Sequence, residues 1–163
     1  MKRKMMMLMV CLGLIIGVFA QTAPSFTVEL LDGSRVRSET LLEKGPIFID
    51  FWATWCQPCL RAMPIWSDFA EKYPEMNFYA VSIDKPRDKP KVTNQVRTAK
   101  YAFEVGFDPN KEVAGLFNVS DEVPHLFIIS QSGEIVFEKK GYSNGDEVKV
   151  EEAIMRLLQR DGE

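Results

Sequence analysis

An α/β protein with helices packed against a central mixed β-sheet is the fold class this sequence predicts, on three observations. Ile47-Phe-Ile-Asp-Phe-Trp52 and Phe78-Tyr-Ala-Val-Ser-Ile83 are short runs rich in β-formers with little polar interruption, as strands covered on both faces require. Residues at helical apolar spacing follow each run. Near the C-terminus, Leu126-Phe-Ile-Ile129 and Glu134-Ile-Val-Phe-Glu138 face each other across Gln131-Ser132-Gly133, the pattern of a hairpin. Strand, helix, strand, helix, hairpin and a last helix make an α/β layer architecture.

The elements follow in chain order. Residues 26–30 alternate apolar and polar, meet the turn signal Asp32-Gly33, and return through Val36, which predicts an N-terminal β-hairpin. A short helical turn over residues 38–43 leads to Gly45-Pro46 and the first central strand. Ile65, Trp66, Phe69 and Tyr73 then recur at helical spacing, with Pro64 placed to kink that helix rather than to start it. After the second central strand comes a charged helix with Val92, Val96 and Ala99 inward. Residues 103–107 read as a short extended piece. Asp108-Pro109 reads as an N-cap with proline at the first helical position, opening a helix over residues 110–117. Val150, Ile154, Leu157 and Leu158 form one face of a C-terminal helix.

The composition, 46% hydrophobic and 26% charged over 163 residues, is that of one globular domain, without internal repeat or low-complexity linker. The N-terminus stands apart. Lys2, Arg3 and Lys4 precede the apolar or small residues Met5 to Ala20, and Val18-Phe19-Ala20 fits the small-residue rule for cleavage. Residues 1–20 are therefore expected to be a signal peptide and residues 21–163 the folded domain. An uncleaved anchor is the alternative, since the apolar stretch is only slightly shorter than the ~20 residues that span a bilayer. Lipidation at Cys11 is a third reading, weakened by Val10 where a lipobox has a small residue. All three place the domain outside the cytoplasm, with the periplasm expected and any membrane contact made through the N-terminal segment alone. Loss of Lys2, Arg3 and Lys4 takes the net charge from −3 to about −6, which leaves no basic face for nucleic acid. Lys85, Arg87, Lys89 and Lys91 cluster, but Asp84, Pro86, Asp88 and Pro90 interrupt them, so the stretch reads as a solvated loop.

Two of the three cysteines, Cys56 and Cys59, are separated by two residues directly after the first central strand. Structural zinc needs four ligands, and one histidine, His125, is all that accompanies the pair. Haem attachment wants a histidine where Leu60 stands. A permanent staple closing so small a loop would restrain little unfolded-chain entropy. Redox exchange accounts for the setting. At a strand-to-helix junction the unpaired N–H groups and helix dipole favour a Cys56 thiolate at an exposed tip, Pro58 fits the first helical turn, and Cys59 sits one turn further in. That order suits attack by Cys56 and resolution by Cys59. Asp50 lies between Ile49 and Phe51, where poor solvation would raise its pKa and make it a candidate proton acceptor for Cys59. A water-facing position on the strand is the alternative.

Phe51-Trp52-Ala53-Thr54-Trp55-Cys56-Gln57-Pro58-Cys59 resembles the thioredoxin active-site motif, and more closely that of exported thioredoxin-like proteins of the TlpA/ResA type. The resemblance extends over nearly all of residues 24–160, through the N-terminal hairpin, Pro64, the "VSIDK" strand end and the inserted "FDPNKEVAGLFNV" segment. It implies a thioredoxin fold and a dithiol–disulfide oxidoreductase needing no organic cofactor or metal. Cys56 would be the nucleophile, Cys59 the resolving thiol, their disulfide the redox centre, and Asp50 the buried acid. Pro124 would be a cis-proline facing the cysteines, so that the Val123 backbone is offered to an incoming peptide as to an added strand. An ordinary trans loop proline is the alternative. Two departures stand out: Ala62 occupies the place where some ResA-type proteins carry a glutamate, and Glu122-Val123-Pro124-His125 replaces the usual Gly-X-Pro-Thr. His125 would then lie near the redox pair, either tuning the thiolate or serving as a strand-edge histidine without a role.

The expected function is reduction of disulfides in other exported proteins, with electrons from a membrane donor and, by resemblance, service in cytochrome c maturation or oxidative-stress repair. The rivals are a thiol peroxidase and a module that grips extended peptides through Trp55 and Pro124 without redox turnover.

Overall fold

The computed structural model describes residues 21–161; the signal-peptide reading of residues 1–20, Cys11 included, lies outside the described residues. Among the described residues, seven strands and five α-helices follow one another. Strands β1 (Thr27–Glu29) and β2 (Arg35–Arg37) pair antiparallel, with Val28 opposite Val36, as the hairpin signal predicts. The short helix α1 (Ser38–Leu42) then leads into β3 (Ile47–Trp52). Helix α2 (Gln57–Lys72) returns to β4 (Asn77–Ser82), and α3 (Lys89–Ala99) to β5 (Glu104–Phe107). Helix α4 (Glu112–Leu116), the hairpin of β6 (His125–Ile129) and β7 (Ile135–Lys140), and α5 (Asp146–Asp161) complete the domain.

The main sheet has the order β5-β4-β3-β6-β7. β3 runs parallel to β4, and β4 to β5, whereas β6 is antiparallel to both β3 and β7. Every residue of β3 is buried, which is why its sequence lacks the alternation of a half-exposed strand. On one face Phe51 meets Phe117 and Phe127, and Phe26 also packs on Phe117. On the other, Phe48 packs on Trp66 and Phe78 beneath α2 and α5. From α5, Val150, Ala153, Ile154 and Leu157 are buried there. Each such Val, Ile or Leu side chain contributes about 1.5–3 kcal/mol on leaving water.

The edges of the sheet are covered by local chain. Leu30 bridges to Gly106, and the Leu31 N–H donates to the Val105 carbonyl at 3.2 Å, so the small hairpin lies along β5. A Cβ on Gly106 would overlap Val28 Cγ1; glycine is what admits the hairpin so close. At the other side, residues 21–23 pair with the turn before β7.

Three expectations need correction. Ala99 is exposed, because α3 ends there in a left-handed Lys100 and leaves Val92 as its buried residue, with Val96 packed partly against the core. The helix expected from residue 110 starts at Glu112. Asp108 does cap it, but from outside the helix, accepting from the N–H groups of Glu112 at 2.8 Å and Ala114 at 2.9 Å. Asp84, read as part of a solvated loop, is buried.

Candidate active site

β3 ends at Trp52, and after three intervening residues the chain enters α2 with Cys56 as its N-cap. The turn closes locally, the Cys56 N–H donating to the Ala53 carbonyl at 3.0 Å. Pro58 occupies the first helical turn, where its missing N–H leaves no gap in the hydrogen-bond ladder. Pro64 lies inside α2 and is accommodated within one continuous helix of 16 residues.

Cys56 and Cys59 are joined as a disulfide. The Cys59 N–H donates to Cys56 Sγ at 3.2 Å, so the sulfur occupies the capping position at the positive end of the helix. After reduction the same N–H would favour the thiolate over the thiol, because a hydrogen bond to the charged form lowers a pKa. Cys56 is less open than an exposed tip, at 4% of its full accessibility, and Cys59 is buried. The exposed side chain of the turn is Trp55, the residue before Cys56, at 56% of its full accessibility.

The Val123–Pro124 peptide is cis. It brings the Val123 carbonyl oxygen to 3.4 Å from Cys56 Sγ, so the loop before β6 faces the pair. The Val123 N–H already donates to the Asp121 carbonyl at 3.2 Å in a tight turn. A peptide pairing with Val123 as an added strand would have to displace that bond.

Asp50 is wholly buried in the middle of β3, opposite Leu126 of β6 and Ala80 of β4. Alternation puts it on the same face as Phe48, under α2, and neither carboxylate oxygen has a hydrogen-bond partner. Burial pushes its pKa up to about 7. The indole N–H of Trp66 opposes that shift, but it does not reach hydrogen-bond geometry with the carboxylate. Ala62, one turn beyond Cys59, is also buried on this helix and carries no acid there. A group titrating near neutrality can take a proton from a thiol and return it without leaving the physiological range.

His125 is buried at the start of β6, stacked on Phe127 with ring centroids 4.5 Å apart and with Nε2 2.8 Å from Glu138 Oε1. Burial lowers its pKa, against the pull of Glu138. A neutral imidazole lacks the charge by which a histidinium lowers a thiol pKa.

Sequence reasoning missed a polar cluster that binds the cysteine turn. The Asp84 carboxylate accepts from the Thr54 N–H at 2.8 Å, from Thr54 Oγ1 at 2.7 Å and from Ser82 Oγ at 2.8 Å. The Ser-X-Asp pattern at the end of an apolar strand was the available signal, since it permits the 3.1 Å bond from the Asp84 N–H back to Ser82 Oγ. Thr54, thirty residues away, gave none.

Comparison with known proteins agrees with this geometry. The AhpC/TSA family model matches residues 19–138. Thiol-disulfide oxidoreductase ResA of Bacillus cereus is 32% identical over 114 residues, covering 70% of this chain, and this chain spans 65% of the length of that relative. ResA of Bacillus subtilis is 29% identical over 114 residues, 70% of this chain and 63% of that one. Among solved structures, a protein described as thiol:disulfide interchange protein DsbE from Chlorobium tepidum superposes with a TM-score of 0.77 at 25% identity, covering 85% of this chain and 96% of its own. A thioredoxin-like protein from Porphyromonas gingivalis gives 0.69 at 28% identity, with 83% and 91% covered. The chain belongs to the AhpC/TSA family and has a thioredoxin-like α/β fold with a mixed central sheet and an added N-terminal hairpin.

Proposed function

We propose that this protein is a thiol–disulfide oxidoreductase that works outside the cytoplasm and reduces disulfides in other exported proteins. The observation that supports it most is the position of Cys56 Sγ, held by an N–H at a helix N-terminus, bonded to a buried partner sulfur and flanked by an exposed tryptophan and a cis-proline loop. No helix among the described residues is long and apolar enough to cross a membrane. Association with one rests on the N-terminal segment.

In the dithiol form the Cys56 thiolate attacks one sulfur of the substrate disulfide, and the other substrate sulfur leaves as a thiolate and takes a proton from water. Cys59 passes its proton to Asp50 and attacks Cys56 Sγ, which forms the Cys56–Cys59 disulfide and releases the second substrate sulfur as a thiolate, to which Asp50 returns the proton. Two electrons have moved to the substrate. A dithiol donor at the membrane must restore them, together with the one proton that Cys59 carries in the reduced form.

Following insulin-disulfide reduction, with dithiothreitol as electron source, tests this reading. Wild type should be active and Cys56→Ser inactive. Peptide binding without any reductase activity in the wild type would favour the binding module instead. Hydroperoxide turnover in its place would favour the peroxidase. Direction is read from the reduction potential: a value toward that of thioredoxin, about −270 mV, agrees with a reductase, and one near about −120 mV, that of the oxidant DsbA, would refute it.

A further inference from the structure

The carboxylate at the end of β4 takes no part in the exchange above, yet it is buried and holds three donors. Two of those donors belong to Thr54, in the turn that carries Trp55 and delivers Cys56 to the helix. The backbone joins the same two strand ends through the Ile83 N–H and the Trp52 carbonyl at 2.9 Å. Among the described residues, the side-chain hydrogen bonds that reach residues 53–55 are those from Asp84. From Thr54 to Cys56 is two residues, so their Cα atoms are no more than about 7 Å apart.

So close a negative charge should disfavour a Cys56 thiolate, whereas a fixed turn should favour it by keeping Sγ on the Cys59 N–H. The two effects have opposite signs and can be measured apart. We infer that Asp84, supported by Ser82, is a positioning residue for Cys56: it clamps Thr54 and thereby holds the attacking sulfur in the helix cap. The clamp acts through the turn and needs no contact with sulfur or substrate.

Isosteres separate clamp from charge. In Asp84→Asn the amide oxygen can take the place of Oδ2, accepting from the Thr54 N–H and Ser82 Oγ, while the amide nitrogen donates to Thr54 Oγ1. That variant keeps the clamp and loses the charge. Asp84→Ala loses both, and Thr54→Val loses only the hydroxyl arm.

The inference rests on the oxidoreductase reading, but its test does not use a substrate. The Cys56 thiol is titrated by its ultraviolet thiolate absorbance in the whole protein, each variant also carrying Cys59→Ser so that the reactive thiol is read. Asp84→Ala is expected to raise the Cys56 pKa by about one unit, a roughly tenfold lower thiolate fraction below the pKa. Thr54→Val should move it in the same direction by less, and Asp84→Asn should leave it unchanged or lower. A fall in Asp84→Ala matching that in Asp84→Asn would mean charge alone and overturn the inference. So would an unchanged titration in Asp84→Ala with a reduced Tm, which is a purely structural role. Should Asp84→Ala fail to fold, Thr54→Val decides by the same signs. Absent insulin reduction in the wild type would refute the function and leave this titration readable.

Discussion

Asp50 and Asp84 are two acids withdrawn from water, one in the strand that leads into the cysteine turn and one bound to that turn, and they differ in what holds them. Asp50 stands in the middle of β3 with no hydrogen-bond donor on either oxygen. Asp84 stands at the end of β4 with three. Burial without donors makes a carboxyl group give up its charge, and Asp50 accordingly titrates near neutrality. Burial with donors makes it a structural bracket whose oxygens are committed to fixed partners. On the function and the inference proposed above, one fold would use the same side chain once as a proton carrier and once as a mechanical part, with the neighbours deciding which.

Replacing Asp50 should break the comparison most visibly. Its folded pKa of about 7 lies above the unfolded value of 3.8, so the stability it confers is complete below pH 3.8 and disappears as pH rises through 7. The wild type should lose about 4 kcal/mol from this group between pH 4 and pH 8, and Asp50→Asn should not show that loss in denaturant titrations at the two pH values. The same variant should slow release of the mixed disulfide at pH 7 on the order of a hundredfold, read by single-turnover kinetics, since general-base assistance is gone.

Ser82→Ala comes next. It removes one donor from a buried carboxylate and should cost about 1.5–3 kcal/mol in chemical denaturation, with no change in the pH dependence set by Asp50. The smallest effect is expected from Trp66→Phe. Without the indole N–H that opposes desolvation, the Asp50 titration should move further up, visible as a later acid limb in the pH profile of resolution. A downward move would mean that the indole does not act on this carboxylate.

The sequence made one of these two acids readable and hid the other. Asp50 announces itself because a charged residue inside an unbroken apolar run has no route to water. Asp84 sits among Lys85, Arg87 and Asp88, and its own burial depends on Thr54, which only the pairing of β3 with β4 brings near. The strands, the hairpins and the cysteine pair were likewise readable, since each is written in local periodicity or spacing. The start of α4 was not. Proline after Asp108 suggested a cap in place, whereas the chain makes a further turn, with Lys111 in a left-handed conformation, before the helix begins. The low exposure of Cys56 was hidden for the same reason as Asp84, because the loop that covers it, at Val123, is sixty-seven residues away.

Residues 21–23 are stitched to the Gly133 turn, through Ala23 N–H to the Gly133 carbonyl and Ile135 N–H to the Gln21 carbonyl, both at 2.8 Å. That turn follows the end of β6 paired with Ile47, where β3 begins, whereas the sulfurs follow the end where β3 finishes. A six-residue strand, about 17 Å long, therefore stands between the point at which any leader departs and the reactive corner. If that leader stays in a bilayer, the attachment point and the cysteine pair lie at opposite ends of β3.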